Sequence, residues 1–202
     1  MRVTKKKVFV LALIVICLSC LAYGTLAFFT DEARTRNVIT TGAVDIDLKE
    51  YADEAQKEPY PTEPVKVMPS AEVTKVVVVE NGDTETSNDA WIRVQVKKTI
   101  TLAKGQDGQP DLSLIDIHFN TDDWFYLDGF WYYTKPLGTD ETTSPLFDKV
   151  TFAPRMGNMY KNSTADIDVV AYAVQEKHNG GMKELTPENV GDVAGWPKVT
   201  EP

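Results

Sequence analysis

The chain has 202 residues, 43% hydrophobic and 25% charged, which suits one domain with a packed core and excludes global disorder. Its formal charge is −9, from 30 acidic and 21 basic residues, and so acidic a surface makes nucleic acid a poor partner. The only cysteines, Cys17 and Cys20, lie in an apolar stretch near the N-terminus, so the rest of the chain has no disulfide framework, thiol nucleophile or cysteine-held metal.

Arg2, Lys5, Lys6 and Lys7 precede the apolar run Val8–Leu21, and no acidic residue occurs before Asp31. At 14 residues the run is short for a membrane-spanning helix, which needs about 20, but it suits the centre of a secretion signal. Thr25-Leu26-Ala27 supplies a small-x-small pattern, so cleavage is expected between Ala27 and Phe28. The expected organisation is a leader over 1–27, removed by a signal peptidase, and one exported domain over 28–202. The cleaved chain keeps 17 basic residues against 30 acidic ones, a net charge of −13. Two rivals share this segment. Extended through Phe29, the run reaches 22 residues and is long enough for a retained anchor, in which case the leader alone would touch a membrane. Cys20 after Leu18-Ser19 resembles a lipidation site, although Cys17 stands where an aliphatic residue is usual.

The remainder reads as strands. Val44-Asp45-Ile46-Asp47-Leu48 alternates apolar and polar residues, the period of a half-buried strand. Residues 51–69, rich in Glu, Lys and Pro, are expected to form a solvated loop. Val73–Glu80 is a β-branched run stopped by the turn pair Asn81-Gly82. In Trp91–Lys98, Ile92, Val94 and Val96 share one face, and Trp91, Arg93, Gln95 and Lys97 the other. Ile115–Phe119 is a further short alternation. Trp124–Leu127 and Phe130–Thr134 flank Asp128-Gly129, which tolerates the positive backbone angles of a type I′ turn, so a tight hairpin is expected. Val150–Phe152 and Ile167–Gln175 supply two more strands. A short helix is expected over 186–195, with Thr186 as cap, Pro187 in the first turn and Glu188 near the positive end of the dipole. Seven or more short strands separated by turns imply an all-β antiparallel sandwich or barrel with that one short C-terminal helix.

No catalytic constellation stands out. His118 and His178 are 60 residues apart, and no HExxH pattern places two imidazoles and a glutamate on one helix. No serine stands in GxSxG. Trp124, Tyr126, Trp131 and Tyr133 make an aromatic-rich hairpin, which suits core packing and cross-strand pairing, or a surface on which a sugar could stack. Asp45/Asp47 and Asp166/Asp168 each put two carboxylates on one strand face. Calcium, weakly held, is therefore the one metal to consider, but no calcium-loop pattern appears. No metal site and no cofactor is expected.

Gly24-Thr25-Leu26-Ala27-Phe28-Phe29-Thr30-Asp31, then Asn37, Thr41-Gly42 and Val44–Leu48, form a spaced set that resembles the TasA/camelysin family, with Ile39 where that pattern has Phe. Asn81-Gly82 with Trp91–Val94, Gly129–Tyr133 with Lys135-Pro136-Leu137, Pro145–Asp148 and Ala171–Gln175 continue the likeness over most of 24–175. The resemblance implies a jelly-roll sandwich, export through a dedicated signal peptidase, and a non-catalytic role in a biofilm matrix or at the cell surface. It also implies fibres in which each subunit donates an N-terminal strand to the next. The donor would lie within 28–48, through Phe28, Phe29, Val38, Ile39, Val44, Ile46 and Leu48. Camelysin's classification as a metallopeptidase makes a surface peptidase the alternative, beside a carbohydrate-binding module.

Overall fold

The computed structural model describes residues 38–62, 65–66, 68–179 and 181–199. The fold is all-β and sandwich-like. Among the described residues ten strands run in chain order: β1 Val38–Thr41, β2 Ile46–Tyr51, β3 Val65–Lys66, β4 Glu72–Asn81, β5 Ala90–Thr101, β6 Ile115–Phe119, β7 Trp124–Leu127, β8 Phe130–Tyr133, β9 Phe147–Phe152 and β10 Thr164–Gln175. One sheet has the order β1-β10-β5-β8-β7, with β3 also paired to β10; the other has the order β2-β4-β9-β6. All pairings are antiparallel except β1 with β10, which is parallel.

Residue alternation explains why these strands form two layers. On β10, Ala165, Val169, Ala171 and Ala173 are buried in a cluster that also takes Ile92 and Val94 of β5, Val77 and Val79 of β4, and Phe147 and Val150 of β9. Both sheets thus contribute to one core, whose apolar burial is the main stabilising term at roughly 25 cal/mol per Å². The alternate residues of the six-stranded sheet feed a second cluster: Trp91 of β5, Phe130 and Tyr132 of β8, and Tyr172 and Val174 of β10. Leu185, Val190 and Val193 from the C-terminal segment cover it. That cover is why both faces of β5 are buried from Ala90 to Val94.

The hairpin forms as the Asp-Gly pair predicts. Asp128 and Gly129 have φ of 48° and 89°, and β7 and β8 pair from Trp124↔Tyr133 to Leu127↔Phe130. The helix expected over 186–195 does not form. Val190 N–H reaches the Thr186 carbonyl in a single turn, and a 3-10 turn follows at Val190–Asp192. Gly191 and Gly195 weaken a helix too short to sustain itself, while burial of Leu185, Val190 and Val193 against the sheet favours an irregular strap. The loop over 51–69 contains the two-residue strand β3 and a bridge between Tyr51 and Pro59.

Candidate functional site

Two margins of the molecule carry the residues singled out above. At one margin β1 edges the six-stranded sheet and β2 edges the four-stranded sheet; at the other, β7 and β6 do so.

β1 is four residues long and half exposed, with Val38 packed against the main core and Ile39 against the second cluster. It pairs with Ala171–Val174 of β10. Gly42, at φ 89°, turns the chain out of this sheet, and β2 then enters the other. Val44 and Ile46 are buried and Leu48 half buried in the main core, and β2 is tied to β4 over six residue pairs. Of the residues expected in a donor strand, then, Val38 and Ile39 stand on a short edge strand, while Ile46 and Leu48 belong to the chain's own second sheet and Val44 is buried just before it. Ala27, Phe28 and Phe29 lie outside the described residues.

The opposite margin holds the aromatic hairpin. Trp124 and Tyr133 do not form part of an aromatic surface. They are 1% and 8% exposed, their rings are 5.0 Å apart, and Trp124 donates its indole N–H to the Ser144 carbonyl. Strand parity sends Trp124 and Tyr133 between the sheets at the hairpin's inner end. Tyr126 is 59% exposed, and its ring lies 5.3 Å from that of half-buried Trp131. Trp131 in turn stacks on Phe119 of β6 at 4.1 Å and 20°. These rings, with Val96, Ile117 and Lys98, line an open groove of about 390 Å³ between the sheets. Lys98 crosses from β5 to donate to the Ile115 carbonyl, which fixes its stem along the groove wall.

Comparison with protein-family models, curated proteins and solved structures gives no match to this chain.

The other candidates stay apart. His118 lies 3.6 Å from Asp116 on the exposed face of β6, and His178 falls in the 3-10 turn Glu176–His178. Asp123 accepts from Lys135, whose hydrogen bond holds the Asp123 carboxyl below its ordinary range, and Asn120 caps the turn before it. Asp47 is exposed and pairs with Lys49, while Asp166 and Asp168 are exposed on β10. Among the described residues no three acidic, histidine or cysteine side chains gather as metal ligands would.

Sequence reasoning missed two charged clusters. Arg93 is buried beneath the C-terminal strap, among the rings of Phe130, Tyr172 and Trp196. Lys75 is buried against Glu50 at 2.7 Å and lies 4.0 Å from the Tyr60 ring centre. Trp91 on the same strand face as Arg93 was the one visible signal that this face is covered.

Proposed function

We propose that this chain is an exported, non-catalytic structural protein of an extracellular or biofilm matrix, built as a jelly roll and assembling into fibres through its N-terminal segment. Removal of the leader at Ala27 would release the segment beginning at Phe28. The observation that carries the reading is β1. The strand directly after that segment is a four-residue, half-exposed edge strand, held among the described residues by one neighbour in a parallel ladder and linked to β2 across the glycine turn at Gly42. An edge strand with so little pairing can be exchanged for its equivalent from another subunit at small cost, because the bonds broken are remade. Head-to-tail exchange does not close on itself and so extends into a filament. The resemblance of residues 24–48 to the TasA/camelysin pattern supports the same reading.

The test is direct. Secreted protein is subjected to N-terminal sequencing, sedimentation and electron microscopy. A start at Phe28 and fibres that disappear on deletion of residues 28–41 are expected. A protein that keeps its leader in the working form, or stays monomeric at every concentration, would refute the proposal.

A further inference from the structure

We infer that the layer between the six-stranded sheet and the C-terminal strap binds a monatomic anion of the halide class, held by Trp91, Arg93 and Trp196. The inference is independent of the assembly proposed above.

Among the described residues three buried side-chain nitrogens have no hydrogen-bond partner: Nε1 of Trp91, Nε of Arg93 and Nε1 of Trp196. All three belong to this layer. Trp91 and Arg93 are two residues apart on β5, so strand parity puts both side chains on the face that the strap covers. Their cross-strand partners on β10 are Val174 and Tyr172. The strap crosses the same pairs. Gly195 lies beside Val174, the Trp196 ring is 5.8 Å from that of Tyr132 and 4.7 Å from the Arg93 guanidinium, and the Pro197 carbonyl accepts from Arg93.

Each of these nitrogens can donate and none can accept. A buried donor without an acceptor bears its full desolvation cost, and a buried cation without a counter-charge bears more. Trp91 is 0% and Arg93 8% exposed, so bulk water relieves neither. Around them pack Phe130 and Tyr132 of β8, Tyr172 and Val174 of β10, and Leu185 and Val193 of the strap, and none of these carries negative charge. Ring faces and the Pro197 carbonyl offset part of the cost of burying the guanidinium, but they leave its Nε and both indoles unsatisfied.

An anion meets both needs, because it accepts from the donors and supplies the counter-charge. A water molecule also accepts, but it brings no charge and adds two donors to a site already rich in them. The class follows from the surroundings. Neutral indole donors set among rings favour an ion that sheds its hydration readily, as halides do and the larger, doubly charged sulfate and phosphate do not. The chain's net charge of −9 repels anions at large, so saturable binding would report a local site and not a general attraction.

Trp91 and Trp196 are themselves the reporters. Purified protein is titrated with sodium bromide or iodide against sodium gluconate at constant ionic strength, and tryptophan fluorescence is followed. A heavy halide seated against an indole quenches it and saturates, whereas collisions with exposed rings grow linearly with concentration. We expect a saturable phase that chloride displaces and sulfate does not. Trp196→Phe keeps a ring over Arg93 but removes one N–H, so the half-saturating concentration should rise about tenfold while Trp91 still reports. Arg93→Met should abolish the phase. Should that variant fail to fold, the wild-type protein carries the same test, because its urea midpoint should be higher in chloride than in gluconate at equal ionic strength. Linear quenching alone, with a midpoint indifferent to the anion, would overturn the inference. So would a saturable phase that Trp196→Phe leaves unchanged, since the halide would then sit elsewhere.

Discussion

The Arg93 guanidinium lies 4.7 Å from the ring centre of Trp196, a residue 103 positions further along the chain. The same guanidinium sits 4.1 Å from the Phe130 ring and donates to the Pro197 carbonyl at 2.8 Å. It makes no ion pair among the described residues, so ring faces and one carbonyl offset the cost of burying its charge. Arg93 therefore clamps the C-terminal strap onto the six-stranded sheet.

Replacing Arg93 tests that clamp. Arg93→Ala removes the ring contacts and the carbonyl bond, with an expected loss of about 3 kcal/mol. Arg93→Lys keeps the charge but cannot lie flat between rings, and should cost about 1–2 kcal/mol. Urea unfolding followed by tryptophan fluorescence measures both, since Trp196 loses its environment when the strap lifts. Equal stability of all three proteins would show that the strap is held by Leu185, Val190 and Val193 alone.

The hairpin turn gives a second, smaller effect. Gly129 has φ of 89°, and a Cβ placed there meets nothing within 4 Å. Gly129→Ala is therefore penalised by backbone strain without any clash, at about 1 kcal/mol. Asp128→Asn, which tolerates the same left-handed angle, should be close to neutral. Thermal unfolding of the two variants separates strain from packing, because neither side chain is in the core.

These cases also mark what could be read in advance. Ile115–Phe119 and the Asp128-Gly129 hairpin were legible because local alternation and turn chemistry decide them. β1 was not, because Val38-Ile39-Thr40-Thr41 has no clean alternation and its partner on β10 lies more than 100 residues away. The helix expected over 186–195 had a good start signal, yet burial of the strap outweighed it. Of the aromatic hairpin, composition identified the rings, but Trp124, Tyr126, Trp131 and Tyr133 share one face, and only their place along the hairpin separates buried Trp124 and Tyr133 from Tyr126 and Trp131 in the groove. The Arg93 clamp depends on a covering segment so distant in sequence that no local pattern announces it.

A buried polar knot at the base of β4 predicts a larger loss. The Asn81 amide donates to the Asn88 and Leu137 carbonyls and accepts from Ser87, whose hydroxyl also accepts from the Asp45 N–H. Asn81 and Ser87 are each 5% exposed, so water cannot easily replace a lost partner. Asn81→Ala leaves the Leu137 carbonyl unbonded to a side chain and Ser87 without its acceptor, at an expected cost of about 2–3 kcal/mol. Hydrogen exchange should show faster opening around Asp45 and Ala90, where the knot joins the two sheets' loops. Unchanged exchange there would mean that the backbone bonds alone hold the junction.

Tyr60 carries the pH dependence. Burial, then the nearby charges of Glu50 and Asp166, push its phenol up to about 12. In the unfolded chain a tyrosine titrates near 10. Between those values the unfolded chain releases a proton that the folded one keeps, so alkali favours unfolding. The stabilising contribution is complete below about pH 10 and is lost as pH rises through about 12. Glu50→Gln removes one of the raising charges, so Tyr60 should titrate at lower pH, yet still above an exposed tyrosine because burial is the largest cause. The same substitution deprives Lys75, whose side chain is 5% exposed, of its carboxylate partner, and should cost about 3 kcal/mol near neutral pH. Tyrosinate ultraviolet absorbance, taken as the difference from Tyr60→Phe, isolates the titration. If Glu50→Gln leaves both the titration and the urea midpoint unchanged, the Lys75–Glu50 pair does not anchor Tyr60, and the loop over 51–62 is held by its backbone bonds between Tyr60 and Glu50 and between Ala52 and Glu58.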